Sequence, residues 1–174
     1  MKYQHLLAPM AMPNGVVLFE KDETLGGQLI HADYAGFKWT IQHFKDWEIR
    51  QCQKKGVESR LGCQPTVAEL QAEKFDTVVA ALGGAPFIPN IPGLTKADGT
   101  LAENVFTPIS VYGNLEQLGQ RVAIIGGGVH PQTEAALQYY GSAPEFYIAG
   151  DCAGDGEGSV QKALRSAYGI AMQI

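Results

Sequence analysis

Short apolar runs recur along the chain, most of them closed by glycine or an acid, and helical spacing fills much of the sequence between them. Val16 to Phe19 is a β-branched run ending in Glu20 and predicts a buried strand. A polar loop, KDETLGGQL, follows. From Trp39 to Lys55 the pattern turns helical, with Ile41, Phe44, Glu48 and Cys52 on the inner side and Gly56 as the stop. Val57 to Leu61 predicts a second short strand, and the spacing Thr66-x-x-Glu69 predicts a capping box opening a short helix. Asp76 to Leu82, DTVVAAL, is the clearest buried strand of the first half and ends in Gly83-Gly84. The proline-punctuated GGAPFIPNIPG predicts loop, and Thr107 with Pro108 predicts an N-cap and first-turn proline of a short helix. Arg121 to Ile125 predicts another strand, ending in Gly126-Gly127-Gly128. Gln132 to Tyr140 predicts a helix closed by Gly141, and Phe146 to Ala149 a strand ending in Gly150-Asp151. Ser159 then caps a last helix whose apolar positions Val160, Ala163, Leu164, Ala167, Tyr168 and Ala171 keep helical spacing. Alternating strands and helices, several of the strands wholly apolar, predict an α/β fold with a mostly parallel sheet.

Composition narrows the class. Hydrophobic residues make up 45 % and charged residues 18 % of 174, a globular balance. The 21 glycines cluster at strand ends, where tight turns need them. A net charge of −5 without a basic block argues against nucleic-acid and anionic-membrane partners. No apolar run approaches the ~18 residues of a membrane span. Pro9 and Pro13 interrupt the N-terminal apolar stretch, against a signal peptide. Cys52, Cys63 and Cys152 are scattered and odd in number, which fits a reducing cytoplasm better than a disulfide framework.

Four features carry candidate chemistry. An acid closing the second strand of a dinucleotide-binding fold can accept hydrogen bonds from both adenosine ribose hydroxyls, and Glu20 is placed for that; a solvated strand end explains it as well. The turn Gly26-Gly27-Gln28-Leu29 lets backbone approach a bulky ligand, or is an ordinary turn. The strand end at Leu82-Gly83 presents backbone at a carboxyl edge, where open α/β sheets bind ligands, and equally suits a crossover between domains. FYIAGDC is the most specific: Asp151 sits at a sheet edge, and the helix starting near Ser159 aims its first amides at an electron-rich ligand. A turn former, or a metal site with Asp155 and Glu157, are the competing readings of Asp151, though the loop lacks calcium-loop spacing. AIIGGGVHP opens like a second dinucleotide site, but Pro131 stands where the third glycine of G-x-G-x-x-G belongs. The four histidines lack a catalytic spacing, and Trp39 and Trp47 read as core or partial-core residues.

Taken in order, VVLFEKDETLGGQL, FKWTIQHFKDWEIRQ, TVVAALGGAPFIPNIPG, NVFTPISVYG, QRVAIIGGG and FYIAGDC with VQKALRSAYGIAMQI resemble the C-terminal FAD/NAD(P)-binding region of the NADH:flavin oxidoreductases. That old yellow enzyme-like family includes 2,4-dienoyl-CoA reductase, enoate reductases and trimethylamine dehydrogenase. The resemblance covers residues 16–174 and implies a truncated Rossmann-like fold that binds FAD. It places Glu20, with Lys21 beside it, at the adenosine ribose, and Gly26, Gly27 and Gln28 along the cofactor. Leu82 and Gly83 match a strand end near the cofactor. Gly150 and Asp151 match the contact to the ribityl chain, and Val160 and Gln161 open the helix facing flavin and pyrophosphate.

Complete members add a barrel that carries FMN and, in many, an iron–sulfur cluster, and pass electrons from NAD(P)H through FAD to a substrate. FMN and the cluster are not expected on this chain. Residues 1–15 resemble the start of such a barrel, 16–128 the first part of the FAD domain with the start of the NAD(P) segment, and 129–174 its C-terminal part. The first glycine-rich turn and most of the NAD(P) domain have no counterpart, and Gly128-Val129 marks the internal junction. The expectation is a cytoplasmic FAD-binding remnant whose isolated chain binds FAD weakly or not at all and completes no hydride-transfer cycle. Exposed sheet edges invite a homo-oligomer. The alternative is a non-catalytic module that binds ADP or dimerises.

Overall fold

The computed structural model describes residues 15–126, 128–154 and 159–174. They form two compact units, one of the residues up to Gly83 with Pro131–Ile174, the other of Gly84–His130.

In the first unit, β1 (Val17–Phe19) leads through α1 (Gln28–Ala32) and α2 (Trp39–Lys54) to β2 (Glu58–Arg60). The two strands pair in parallel, Val17 opposite Glu58 and Phe19 opposite Arg60, as a strand–helix–strand crossover allows. Gly56, at φ 71°, turns the chain back after α2. The α2 face carrying Ile41, Phe44, Glu48 and Cys52 is half-buried, as its spacing predicts. Trp39, by contrast, is 57 % exposed and packs edge-on against His43, so it is not a core residue. It stands on the first turn, before the helix reaches its neighbours.

The capping box forms as predicted. Thr66 Oγ1 accepts from the Glu69 amide at 3.3 Å, and Glu69 Oε2 accepts from the Thr66 amide at 2.7 Å. It starts α3 (Val67–Glu73), which ends at Lys74 in a left-handed conformation. β3 (Thr77–Ala80) follows and pairs in parallel with β6 (Glu145–Ile148), Thr77 opposite Glu145 and Ala80 opposite Ile148. Between them in sequence, α4 (Thr133–Leu137) is shorter than the predicted 132–140; its last turns tighten to Gly141, at φ 81°. α5 (Val160–Ala171) begins at the predicted cap, with Ser159 Oγ accepting from the Lys162 amide at 3.2 Å. The core joins Ala80, Ala136 and Cys152, with Phe146 and Ile148 packed against it. Among the described residues each sheet has two strands.

The second unit departs from expectation in three places. The segment predicted as loop contains β4 (Gly84–Pro86), which pairs with β5 (Val129–Pro131). Proline is tolerated on such an edge strand, and Gly84 permits the approach: a Cβ there would stand 3.1 Å from the His130 carbonyl oxygen. Arg121 to Ile125 is not a strand, and Ile124 is 94 % exposed. The run has β-forming residues, but among the described residues no strand pairs with it. The segment led by Thr107 and Pro108 reaches only a short 3-10 turn, Val111–Gly113. Gly127 lies outside the described residues.

Candidate functional site

The predicted site residues fall into two groups within the first unit. One is built on β3, β6 and α5. The last ladder bond, from the Ala149 amide to the Ala80 carbonyl at 2.9 Å, holds the carboxyl ends of both strands together. Just beyond it lie Leu82 and Gly83 on one side and Gly150 and Asp151 on the other. Gly83, at φ 66°, and Gly150, at φ 72°, adopt left-handed backbone that turns the chain away from the sheet. Asp151 opens the 3-10 turn Gly150–Ala153, whose carbonyl receives the Gly154 amide at 3.1 Å. α5 packs on this turn, a Cβ at Gly150 lying 3.6 Å from Ala163 Cβ. Val160 and Gln161 are its first residues, so their amides have no partner within the helix.

The second group stands at the end of β1. The Glu20 backbone is fixed on both sides: its amide donates to the Arg60 carbonyl, and its carbonyl accepts from the Cys63 amide, each at 2.9 Å. Its carboxylate accepts from the Asp22 amide at 3.0 Å and remains close to solvent, as does Lys21. Arg60 lies over the Phe19 ring at 5.0 Å to the centroid and pairs with Glu58 at 2.7 Å and with Glu73. Gly26 and Gly27, at φ 131° and 48°, lead into α1, which Gln28 begins. These two glycines have different reasons. A Cβ at Gly26 would stand 3.0 Å from Ile30 and from the stem of Lys45, a tight contact added to its positive φ. A Cβ at Gly27 or Gly83 would meet nothing within 4 Å, leaving open space beside the backbone.

Two side chains that the sequence reading did not single out complete the first group. Cys152, fully buried, accepts the Leu82 amide on its sulfur at 3.3 Å. Ser166 on α5 accepts the Gly150 amide at 3.3 Å. Cys152 directly follows the Gly-Asp of the strand end, a position that in hindsight marks it; nothing in the spacing marks Ser166. Elsewhere, burial raises the Glu48 carboxyl above its ordinary range, and burial together with the Glu48 charge raises the Cys52 thiol. Both stand on α2. Among the described residues no group of three or more His, Cys, Asp or Glu side chains is placed to hold a metal ion. Asp155 and Glu157, the remaining members of the alternative acidic site, lie outside the described residues.

No family model matches the chain. Among curated proteins it is similar to the NADH oxidase of Thermoanaerobacter brockii, 32 % identical over 114 residues, which are 66 % of this chain and 17 % of that protein. It is 33 % identical to the bilirubin reductase of Mediterraneibacter gnavus, with the same shares covered. The likeness to the old yellow enzyme-like oxidoreductases therefore holds, over part of their length. The matched stretch spans about a sixth of these relatives. Among solved structures, a 2-naphthoyl-CoA reductase in complex with 2-naphthoyl-CoA superposes with a TM-score of 0.75 at 16 % identity, covering 98 % of this chain and 38 % of that one. At that identity the superposition establishes the fold alone: a mixed α/β arrangement with small parallel sheets, in keeping with a truncated Rossmann-like fold. Among the described residues no helix is long and apolar enough to cross a membrane.

Proposed function

We propose that this chain is the FAD-binding portion of a flavin-dependent NAD(P)H oxidoreductase and does not complete a hydride-transfer cycle by itself. One observation carries the reading. The β3–β6 carboxyl edge gathers Leu82, Gly83, Gly150 and Asp151 beside the α5 N-terminus, all residues named from sequence for the same cofactor. When bound, FAD supplies a two-electron carrier between a nicotinamide and a second acceptor. The chain's own residues bind and orient it. The Asp151 carboxylate accepts from ribityl hydroxyls, and the first α5 amides, at the positive end of the helix dipole, face the pyrophosphate. Gly83 and Gly27 leave their backbone open to close approach, and Glu20, with Lys21 adjacent, takes the adenosine ribose. Most of the NAD(P) domain has no counterpart at the Gly128-Val129 junction, which supports the view that nicotinamide binding is not retained here.

The test is a titration of the purified chain with FAD, followed by flavin absorbance and fluorescence. Saturable binding weakened about tenfold by Asp151→Ala and by Glu20→Ala is expected, each removing one charge-assisted hydrogen-bonding group. No saturable binding at high micromolar FAD overturns the reading. A second reading, a module that binds ADP or pairs with its own copy, rests on the exposed apolar run at Val122, Ile124 and Ile125. Sedimentation as a dimer that Ile124→Asp dissolves, or ADP binding without flavin binding, favours it.

A further inference from the structure

Parallel strands stay in register only as far as their ladder runs, and β3 and β6 stop pairing where the candidate site begins. After the Ala149 amide donates to the Ala80 carbonyl, both chains turn away, and the Leu82 amide has no strand carbonyl left to meet. A side chain takes over. Cys152 Sγ accepts the Leu82 amide at 3.3 Å and lies 3.1 Å from the Ala149 carbonyl and 3.5 Å from that of Ala80. Its single proton can serve only one carbonyl at a time, and Ala149 is the nearer. The sulfur thus accepts from one strand end and donates to the other, a rung built from a thiol beyond the last backbone rung.

The surroundings suit sulfur. Cys152 is fully buried among Ala80 and Ala136, two side chains small enough to leave room for a large atom at the end of a short stem. The 3-10 turn Gly150–Ala153 swings the residue back under the sheet, and the Gly150 amide is held from the other side by Ser166 Oγ at 3.3 Å.

We propose that Cys152 is a positioning residue: its thiol clamps the Leu82–Gly83 strand end to the Gly150–Asp151 turn, fixing the spacing between the two backbone segments that receive the flavin nucleotide. The role toward the nucleotide rests on the function proposed above; the clamp itself does not. Cys152 touches no ligand in this scheme. The Leu82 amide is also committed to it, so Leu82 contributes to the site through its backbone course and not as a hydrogen-bond donor.

The experiment is amide hydrogen exchange on the 15N-labelled chain, run beside FAD titrations, for the unmodified protein, Cys152→Ser, Cys152→Ala and a control, Cys52→Ala. In the unmodified chain the Leu82 amide is expected to be protected although it lies past the ladder; exchange as fast as that of an exposed loop amide overturns the clamp without any variant. Cys152→Ala is expected to speed Leu82 exchange and raise the FAD dissociation constant, each about fivefold, the scale of one net hydrogen bond. Cys152→Ser, which keeps a donor and an acceptor, is expected to stay within about twofold of the unmodified chain in both, as is Cys52→Ala. If serine and alanine lose protection and affinity alike, the residue fills space only and the inference falls. Unchanged Leu82 exchange in a folded Cys152→Ala chain overturns it too. If Cys152→Ala does not fold, the serine variant decides: Leu82 unprotected there refutes the rung. Absence of saturable FAD binding by the unmodified chain overturns the proposed function and the cofactor half of this inference, while Leu82 exchange still decides the clamp.

Discussion

The runs DTVVAAL and QRVAIIGGG are close in composition, yet one is a paired strand and the other is not. Thr77–Ala80 lies beside β6, and Ala80 is 4 % exposed against Cys152 and Ala136. Val122, Ile124 and Ile125 have the same β-branched character, but they lie exposed and outside any strand. β-propensity describes fit to a pleated, half-buried surface, and where no such surface is offered it does not make a strand. The sharpest way to break the contrast is one chemical change in both runs. Ala80→Asp places a carboxylate in the small core and is expected to cost at least ~3 kcal/mol, enough to unfold the first unit. Ile124→Asp is expected to change stability by less than about 0.5 kcal/mol. Urea unfolding followed by circular dichroism reads both; a comparable loss at Ile124 would mean that the run is covered after all.

Glycine gives the next contrast. Gly150 holds a φ of 72° that an L side chain adopts at a cost of about 1–2 kcal/mol, and Gly150→Ala is expected to lose that much. The space is not the obstacle, since the added Cβ meets only Ala163 at ordinary contact distance. Gly119, in the second unit, has no such φ and would meet nothing within 4 Å. There alanine is expected to be neutral or stabilising by up to about 0.5 kcal/mol, through the entropy of the unfolded chain. Equal losses at the two positions would remove backbone conformation as the reason for glycine at the strand end.

These cases show why some of the fold was legible and some was not. Local chemistry that closes within a few residues was read correctly in four places: the Thr66–Glu69 box, the Ser159 cap, the Gly56 stop and the strand ending at Glu20 each depend on neighbours in sequence. Pairing was not legible, because a strand exists only with its partner. Val122 to Ile125 carried every local sign of a strand and failed, while Gly84–Pro86 carried the signs of a loop and paired. The candidate site follows the same rule. Gly83 and Asp151 were named as candidates from strand-end chemistry, whereas Cys152 needed the fold to bring its sulfur to the Leu82 amide, 70 residues away in sequence. Ser166 was hidden in a helix whose spacing spoke only of its apolar face.

Helix starts sharpen the contrast between units at a smaller scale. Thr66 caps a helix with both halves of the box formed, and Thr66→Ala is expected to cost about 1 kcal/mol. Thr107 Oγ1 makes the corresponding bond to the Ser110 amide at 3.1 Å, but only a three-residue 3-10 turn follows it. Thr107→Ala is therefore expected to cost less than about 0.5 kcal/mol. Thermal melts of the two variants test the ordering, and a larger loss at Thr107 would reverse it.

The smallest effect tests whether the first unit, though better built, is fully satisfied. One Glu48 side-chain oxygen is buried without a hydrogen-bond partner among the described residues, and desolvation raises the carboxyl above its ordinary value of 4.5. A carboxyl with a raised folded-state value binds its proton more tightly folded than unfolded. Its contribution is therefore fully present below the unfolded value and is lost as pH rises through the folded one. Glu48→Gln stays neutral throughout, so it is expected to be the more stable chain at pH 7 and to match the original below the unfolded carboxyl value. The gain is expected to stay under about 1 kcal/mol, because the group is only half-buried and water screens it. Unfolding midpoints measured across pH decide the matter: a difference that does not vary with pH would assign the effect to shape and not to charge. The same substitution removes a negative charge beside Cys52, whose thiol burial and that charge together raise. Alkylation of Cys52 near pH 8 is therefore expected to quicken in Glu48→Gln, and an unchanged rate would mean that burial alone sets the thiol.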